Sequence, residues 1–294
     1  MIYIKLFSHA NLGNWLFQYA FALALSKKRG GDRIVFYATT QRDENRIGPY
    51  LPLFDEVEVV REIPMDVYYY LETAGANTSD KLYSQKSVLL DGFFQDLSLF
   101  DGEQVRTSVH CPESVKEIIQ NKYGELLNQR TVGVSVRRGD YLKIPHAFPF
   151  VGEEFLTRAI DKFDKDCVFV VCSDDIPWCK RFFTTSRFQR RMFFFIEKEA
   201  VLTQLFIQAG CCDNVISNST FSWWGAFLNP HLRKRTIFPS MWVGLGYKYK
   251  NPPIYWKGVE VIENRYTPIM WCKAVITNVV SNSKYKVRKL IRGY

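Results

Sequence analysis

The stretch Val132-Gly133-Val134-Ser135-Val136-Arg137-Arg138-Gly139-Asp140-Tyr141 passes directly from small and apolar residues to two arginines, a glycine and an aspartate. Its first five residues predict a strand that is covered on both faces, as in a parallel sheet. Ligands of open α/β sheets bind beyond the carboxyl ends of the strands, so Arg137 and Arg138 should lie where a substrate binds. Guanidinium groups fit phosphate oxygens, and Asp140 can hold one of them in place. The stretch predicts a diphosphate clamp; the alternative is a surface salt bridge on a loop.

Two further strand ends carry polar clusters. Cys172 leads into Ser173-Asp174-Asp175, whose carboxylates can accept N–H bonds from a base such as guanine. Ile216 leads into Ser217-Asn218-Ser219-Thr220, where small polar side chains and free backbone amides at a helix start form an anion nest. Each cluster alone is also typical of a capped helix. Three such ends of one parallel sheet would meet at one crevice, which favours a binding site.

The N-terminal segment predicts a strand, a glycine turn and a helix that begins near Asn14. Asn14 and Gln18 lie one turn apart near the helix start, where exposed amides would face an anion or a sugar hydroxyl. A structural turn is the alternative, because a single glycine is no dinucleotide fingerprint.

The length of 294 residues suits two domains with full cores. Strand and helix patterns alternate regularly in the second half, which predicts crossovers onto a parallel sheet. Cys111-Pro112 breaks the pattern between the halves. We therefore predict an N-terminal α/β domain over residues 1–112, a C-terminal one over 113–250, and a basic helical tail over 251–294.

Composition limits the class and the compartment. With 47% hydrophobic residues the chain is globular, and it contains neither a long uncharged apolar run nor a recognisable secretory leader, so we expect a cytoplasmic protein. The seven cysteines are an odd number without a C-x-x-C motif, which favours core thiols over disulfides or a metal site.

The net charge of +9 is concentrated near the C-terminus. Between Lys273 and Tyr294 there are basic residues and no acidic ones. Val287, Leu290, Ile291 and Tyr294 fall on one face of a helix, which suits the surface of an anionic membrane. A solvated terminal helix is the alternative. Nucleic acid is disfavoured as a partner, because no nucleic-acid-binding module is recognisable.

Four motifs together resemble the bacterial alpha-1,2-fucosyltransferases, which share an H-x-R-R-x-D signature with other fucosyltransferases. They run up to about Trp242, in the following order: Leu12-Gly13-Asn14-x-Leu16-Phe17-Gln18-Tyr19-Ala20, Arg137-Arg138-Gly139-Asp140-Tyr141, Cys172-Ser173-Asp174-Asp175-x-x-Trp178-Cys179-Lys180 and Ser217-Asn218-Ser219-Thr220-Phe221-Ser222-Trp223-Trp224-Gly225-Ala226. The chain departs from the pattern in two places: Ser135 replaces the signature histidine, and Trp15 replaces the usual glutamine.

The resemblance implies a GT-B fold, with two Rossmann-like domains facing a central cleft, and inverting transfer of fucose from GDP-fucose. It implies that residues 1–112 form the acceptor-side domain and that residues 113–250 form the domain that binds GDP-fucose. The acceptor implied is the 2-hydroxyl of a terminal beta-galactose in a glycan, such as one assembled on a lipid carrier for a bacterial surface polysaccharide. By resemblance, Arg137 and Arg138 contact the diphosphate, Asp140 braces them, and Asp174 or Asp175 contacts guanine. The residues implied around the phosphates and the reacting sugar are Ser217, Asn218, Ser219, Thr220 and Asn14.

No metal or other cofactor is expected, because a fixed arginine can stabilise the negative charge that grows on the departing phosphate. The one D-x-D tripeptide, Asp164-Lys165-Asp166, precedes a strand and should lie at the opposite edge of the sheet. Inversion needs one base near the acceptor hydroxyl. Asp140, His146, Glu153 and Glu154 are available, and His146 is preferred.

Two other functions stay open at this point. One is a GT-B glycosyltransferase that uses another nucleotide sugar, such as GDP-mannose. The other is a basic nucleotide- or nucleic-acid-binding protein without transferase chemistry, for which salt-sensitive binding and no release of GDP are expected.

Overall fold

The computed structural model describes residues 1–72, 80–149, 151–246 and 251–292, the last nine of these as backbone. The chain forms two compact units, Met1–Ile118 and Ile119–Tyr294.

The N-terminal unit is built on a five-stranded sheet in which every neighbouring pair is parallel. The order of its strands is β3-β2-β1-β5-β4. Strand β1 is therefore central, and the segments that follow β1 and β5 leave the sheet side by side at its carboxyl edge. The strands are β1 (Ile2–Lys5), β2 (Ile34–Tyr37), β3 (Glu58–Val60), β4 (Tyr68–Leu71) and β5 (Val88–Asp91).

Helix α1 (Leu12–Lys28) is buried along most of its first three turns, including Leu16, Phe17 and Ala20. This burial explains why its amino-acid pattern is apolar on nearly all sides, as expected for a helix enclosed in a core. The other helices of this unit are α2 (Gln41–Ile47), α3 (Lys81–Ser84) and α4 (Gly102–Ser108), with 3₁₀ turns at Gly48–Leu53 and Leu97–Leu99. Helix α5 (Glu113–Leu127) runs across the boundary between the units.

The C-terminal unit contains a six-stranded sheet whose neighbouring pairs are all parallel. The strands are β6 (Thr131–Val136), β7 (Val168–Ser173), β8 (Met192–Phe195), β9 (Asp213–Val215), β10 (Thr236–Pro239) and β11 (Glu260–Ile262). Their order, β8-β7-β6-β9-β10-β11, is that of a Rossmann sheet. The chain first builds outward from β6 to β8 and then from β9 to β11, so the order reverses between β6 and β9. Ligands of such sheets bind at this reversal.

The helices of the C-terminal unit connect these strands in alternation. They are α6 (Glu153–Ile160), α7 (Ile176–Phe183), α8 (Val201–Gly210), α9 (Thr220–Phe227) and α10 (Pro268–Arg292), with a 3₁₀ turn at Ser186–Phe188. One core cluster lies between the sheet and α6 and α7, and includes Val134, Phe155, Phe169 and Phe183. A second, smaller cluster joins Tyr123 of α5 to Ile207 of α8 on β7.

The predicted α/β class with two Rossmann-like domains is confirmed, and β6 contains the predicted central strand. The boundary between the two compact units lies between residues 118 and 119, compared with a predicted domain boundary after residue 112. The segment 251–294, predicted as a helical tail, also supplies β11, which pairs with β10 at the edge of the sheet. A segment of three residues is too short for its hydrophobic pattern to distinguish an edge strand from a loop.

The predicted core thiols are found for four of the seven cysteines, Cys167, Cys172, Cys179 and Cys211, and all seven are free. Among the described residues no helix combines the length and apolar character needed to cross a bilayer.

Candidate active site

Arg137 lies at the carboxyl end of β6, held by two carboxylates. One terminal nitrogen of its guanidinium is 2.8 Å from Oδ1 of Asp140, and the other is 3.1 Å from Oδ2 of Asp174. The Arg137 side chain remains 34% exposed. Each terminal nitrogen carries two N–H bonds, so each can donate to a carboxylate and to a ligand oxygen at the same time. The predicted bracing of an arginine by Asp140 is therefore seen, and Asp174 adds a second brace from β7.

Arg138 is more enclosed than Arg137, with a side chain that is 12% exposed. Its Nε lies 3.1 Å from Oδ2 of Asp175, and its guanidinium carbon lies 3.8 Å from the centre of the Trp178 ring. Its backbone N–H donates to Asp174 at 2.8 Å. These contacts fix the course of the loop after β6 and turn Arg138 toward α7.

The conformation of this loop depends on Gly139. A Cβ atom at this position would lie 2.5 Å from Oδ2 of Asp174, so any side chain would displace the carboxylate that holds Arg137. Glycine is needed here for close approach of the backbone to Asp174.

Asp174 and Asp175 follow β7 and connect the arginines to the rest of the sheet. Asp175 also begins α7, because its Oδ1 accepts from the backbone N–H of Trp178 at 3.1 Å. Every carboxylate oxygen of this pair thus accepts a hydrogen bond or ion pair from within the protein. This bracing role was not predicted from the sequence. The partners of β7 depend on the order of the strands, which the sequence does not show.

The polar cluster after β9 divides into buried and partly exposed residues. Ser217 and Asn218 are 0% and 1% exposed. Ser217 lies 3.0 Å from the hydroxyl of Ser222, and the carbonyl of Asn218 accepts from the hydroxyl of Tyr141 at 3.0 Å. Ser217 and Asn218 therefore support the framework. Of the residues predicted to contact the donor substrate in this cluster, Ser219 and Thr220 remain candidates, because they are partly exposed at the start of α9.

Ser135, which stands in place of the signature histidine, belongs to the same framework. Its hydroxyl is 2.5 Å from that of Ser222, and its side chain is buried. The serines at 135, 217 and 222 therefore tie β6 to α9 across the point where the strand order reverses. Ser222 was not among the predicted site residues, because its burial became evident only from the packing.

His146 lies in the loop after β6, against α10. Its Nδ1 is 3.0 Å from the hydroxyl of Thr277, which in turn donates to the carbonyl of Lys273 at 2.8 Å. The carbonyl of His146 accepts from the backbone N–H of Gly246 at 2.6 Å. Burial lowers the pKa of His146 below its usual value, so the ring is neutral at pH 7.

One tautomer of His146 is compatible with both contacts of Thr277. If the single hydroxyl proton of Thr277 is used in the bond to Lys273, the threonine oxygen accepts from Nδ1–H of the histidine. The lone pair of the neutral ring is then on Nε2, the nitrogen able to take a proton.

A cavity of about 550 Å³ opens next to the arginine cluster, between α6 and α7. Trp178, which stacks on Arg138, forms part of its wall together with Glu153, Glu154 and Arg181. The two glutamates considered as bases therefore line this cavity.

The predicted residues of the N-terminal unit have separate roles. Asn14 is half-buried and its Oδ1 accepts from the side chain of Gln95 at 3.2 Å. Gln18 is fully buried and donates to the carbonyls of Lys5 and Gly92 at 3.1 and 2.8 Å. It joins the ends of β1 and β5 and does not face solvent, contrary to the expectation for an exposed amide.

The D-x-D tripeptide precedes β7, at the edge of the sheet opposite the arginines, as predicted. Arg130 lies 2.5 Å from Asp164 and 3.8 Å from Asp166. Within the described ranges no group of three or more acidic, histidine or cysteine side chains is arranged to hold a metal ion.

Residues 83–237 match the family model described as glycosyl transferase family 11. The chain belongs to this family. The match includes the arginine cluster, β7, and the serine-rich start of α9, and so agrees with the predicted resemblance.

Three relatives show the range of activities near this member of glycosyl transferase family 11. An Escherichia coli protein named O-antigen biosynthesis glycosyltransferase WbnK is 29% identical over 58% of this chain and 60% of its own length. An alpha-1,2-colitosyltransferase of the same species is 28% identical over 53% of this chain and 56% of its own. Galactoside alpha-(1,2)-fucosyltransferase 1 of Gorilla gorilla gorilla is 26% identical over 76% and 64%. The chain thus spans less than two thirds of each relative's length.

The fold is also found in a solved fucosyltransferase. The selenomethionine structure of NodZ from Bradyrhizobium matches with a TM-score of 0.50 at 13% identity, over 78% of this chain and 92% of that one. At 13% identity this match shows similarity of fold alone.

Proposed function

We propose that this glycosyltransferase transfers L-fucose from GDP-fucose, with inversion, to the 2-hydroxyl of a terminal beta-galactose in a glycan. The observation that carries the proposal is Arg137, half-buried and held between Asp140 and Asp174 where the order of the sheet reverses. This arrangement is a rigid donor of hydrogen bonds to a diphosphate, and the names of the relatives support the choice of sugar and linkage.

Arg137 would act mainly in the transition state. As the bond between the anomeric carbon and the phosphate oxygen breaks, negative charge grows on the departing diphosphate. A guanidinium that two carboxylates already hold in place can stabilise this charge without reorganising. Arg138 is less exposed, and its proposed contact with the diphosphate is secondary to its role in shaping the loop.

The start of α9 would bind the other side of the diphosphate. Ser219 and Thr220 offer hydroxyls and backbone N–H groups, and the positive end of the helix dipole favours an anion. Buried Ser217 and Asn218 would support this site without touching the donor.

Asp174 or Asp175 remains the proposed contact for guanine. Each carboxylate oxygen has two lone pairs, so an oxygen bonded to an arginine can accept a second bond from the N–H edge of the base. The cavity beside Trp178, with Glu153 and Glu154, offers a second set of carboxylates for the same edge. Asn14, in the N-terminal unit, remains the proposed contact for the reacting sugar.

His146 is our proposed base. A base must be unprotonated at working pH, and the lowered pKa and the lone pair on Nε2 both meet this condition. In the reaction the acceptor oxygen attacks the anomeric carbon, GDP leaves with the bonding electrons, and the hydroxyl proton passes to Nε2.

The arginine and the helix start supply the positive charge that a metal supplies in other glycosyltransferases, so we propose a reaction that needs no metal. We further propose that the protein works in the cytoplasm at the inner face of a membrane, on a lipid-linked acceptor. Helix α10 supports this, because Ile269, Trp271, Ile276 and Val279 of its first turns are exposed and basic residues follow them in the sequence.

The deciding experiment measures GDP release from a panel of nucleotide sugars, including GDP-fucose and GDP-mannose, with and without beta-galactosides. Release that requires GDP-fucose and a galactoside, with a 1,2-linkage in the product, is the expected result. Preference for another donor would assign a different glycosyltransferase. Salt-sensitive nucleic-acid binding without any GDP release would instead indicate a non-enzymatic binding protein.

A further inference from the structure

Three aromatic rings lie together at the carboxyl edge of the N-terminal sheet. Phe7 and His9 follow β1, and Phe93 follows β5. Because β1 and β5 are parallel neighbours, the segments after them emerge at the same edge, which is where sheets of this type bind ligands. We call these three residues the ring platform.

The rings contact one another and remain accessible. The centroid of the Phe7 ring lies 5.7 Å from that of His9, in a stacked arrangement, and 5.2 Å from that of Phe93. The edge of His9 faces Phe93 at 5.9 Å. Both phenylalanines are half-buried and His9 is exposed. A core residue would be covered, whereas all three of these side chains keep some exposure to solvent.

Arg46 holds the loop that carries Phe7 and His9. Its guanidinium donates to the carbonyl of Ser8 at 2.5 Å, to the carbonyl of Ala10, and to the side chain of Asn11 at 2.9 Å. The side chain of Arg46 thus holds the backbone on both sides of His9. Such bracing is expected for a binding surface, because a preordered loop loses little freedom when a ligand binds.

Glu72 holds the loop that carries Phe93. Its carboxylate accepts from the backbone N–H groups of Phe93 and Phe94 at 2.6 and 3.0 Å. A side chain at Gly92 would collide with this glutamate.

The backbone at Phe94 is strained. Its φ is +53°, a left-handed value that is rare for a bulky residue. The ring of Phe94 is buried and stacks on Phe21 at 4.3 Å, which anchors the residue in the core. Strained residues of this kind cluster at functional sites, and here the buried Phe94 leaves its neighbour Phe93 half-buried.

Polar groups lie beside the platform. Lys5 forms an ion pair with Asp91 at 2.5 Å, and the hydroxyl of Tyr69 donates to the same carboxylate at 2.5 Å. The ammonium of Lys5 is 5.9 Å from the centre of the Phe7 ring. Rings with a few fixed polar groups at the side are typical of small-molecule sites.

We propose that the ring platform binds the sugar of the acceptor, a beta-galactoside, by stacking on the face of the pyranose that carries the C–H bonds of C3, C4 and C5. The hydroxyls of the sugar would then reach the charged pair of Lys5 and Asp91. This assignment rests on the proposed function, which supplies the class of ligand; the rings, their bracing and the strained backbone identify the surface.

The test compares Phe93→Ala with wild type in the GDP-release assay. We expect the KM for the galactoside to rise at least tenfold, while the KM for the donor changes less than twofold. Phe93→Leu, which keeps apolar volume without a ring face, should show a similar rise if it folds, and thermal melting checks folding. Phe194→Ala on β8, another exposed ring, is the matched control and should leave both constants unchanged. His9→Phe, which keeps a ring, should retain acceptor affinity better than His9→Ala.

Saturation-transfer NMR with methyl beta-galactoside provides a second readout that needs no turnover. The expected signals are on H3, H4 and H5, and they should be lost in Phe93→Ala. If wild type releases GDP but acceptor KM and the NMR signals are unaffected in Phe93→Ala, the platform assignment is overturned and the proposed function stands. If wild type transfers from no donor, the proposed function fails, and the NMR comparison alone decides whether the platform binds a galactoside.

Discussion

The guanidinium carbon of Arg138 lies 3.8 Å from the centre of the Trp178 ring. Stacking of this kind suits a planar guanidinium that is partly desolvated. The two arginines therefore have different surroundings. Arg138 is packed on α7 and paired with Asp175, whereas the more accessible Arg137 lies between two carboxylates. The two residues should therefore differ in what their removal does.

Replacing Arg137 with alanine should reduce kcat at least about a hundredfold, since a charge-assisted donor to the leaving group is worth about 3 kcal/mol in the transition state. Arg137→Lys should recover little, because an ammonium lacks the planar fork that donates to two oxygens. Steady-state kinetics and thermal melting check both effects. Arg33→Ala, which breaks an exposed ion pair with Glu58, is the control and should change neither. A folded Arg137→Ala enzyme with near-normal kcat would contradict the clamp.

Chelation should leave turnover unchanged, because the charge of the leaving group is met by Arg137 and the start of α9. The measurement is GDP release before and after treatment with EDTA, followed by addition of manganese or magnesium. Loss of activity that either ion restores would mean that a metal takes part in the reaction.

Restoring the signature histidine with Ser135→His should lower the free energy of unfolding by about 1–3 kcal/mol, because a larger side chain would overpack a buried position. The hydroxyl of Ser135 lies 2.5 Å from that of Ser222, which leaves little room for a ring. Ser135→Ala should cost about 1 kcal/mol, since Ser222 keeps its contact with Ser217. Urea titration measures both. A Ser135→His protein that is as stable as wild type and more active would show that the site has room for the ring.

The sequence was sufficient to predict features that depend on neighbouring residues. The apolar run before Arg137 fixed β6, and the i, i+3 spacing of Arg137 and Asp140 allowed their ion pair. It could not show that Asp174 braces Arg137 or that Ser217 is buried, because both depend on strand order and on how α9 packs. The ring platform was also missed, since Phe7 and Phe93 are far apart in the sequence and meet only because β5 pairs with β1.

Removing the acceptor for Nδ1 of His146 with Thr277→Val should lower kcat several-fold with little change in the KM for the donor. The valine is similar in shape but cannot accept the Nδ1 proton, so more of the ring adopts the tautomer that has its proton on Nε2. His146→Gln should lower kcat at least about a hundredfold, as expected for loss of a general base. Kinetics across pH then identify the role: wild type should lose kcat/KM on the acid side below about pH 6.5, because burial lowers the pKa of His146 from that ordinary value.

The same lowered pKa has a consequence for stability. The unfolded chain binds a proton at His146 more readily than the folded chain does, so its contribution makes the free energy of unfolding fall as pH drops below about 6.5. This pH dependence should be weaker in His146→Gln, measured by urea unfolding at a series of pH values. Normal kcat in that variant, together with the weaker pH dependence of stability, would make His146 a packing residue only.

The C-terminal helix should bind anionic vesicles through its exposed apolar residues and its basic residues. Deleting residues 287–294 should weaken co-sedimentation with vesicles containing anionic lipid more than it weakens turnover of a soluble acceptor. The predicted apolar face of Val287, Leu290, Ile291 and Tyr294 lies outside the residues whose side chains are described, whereas Ile276 and Val279 in the preceding turns are exposed. Near an anionic leaflet each lysine or arginine is worth about 1 kcal/mol, so salt should loosen the attachment.

Two further variants separate the contributions of charge and of apolar contact. Replacing Lys286, Arg288 and Lys289 with glutamine should remove the preference for anionic over neutral vesicles, and Ile276→Ser with Val279→Ser should weaken binding to both. If the tail instead supports the fold, truncation should lower the melting temperature and soluble turnover together while pelleting stays equal. Equal pelleting of full-length and truncated protein, or pelleting that does not respond to salt, would rule out the membrane contact. The comparison works because a surface helix and a packing helix differ in what their loss does to the melting temperature.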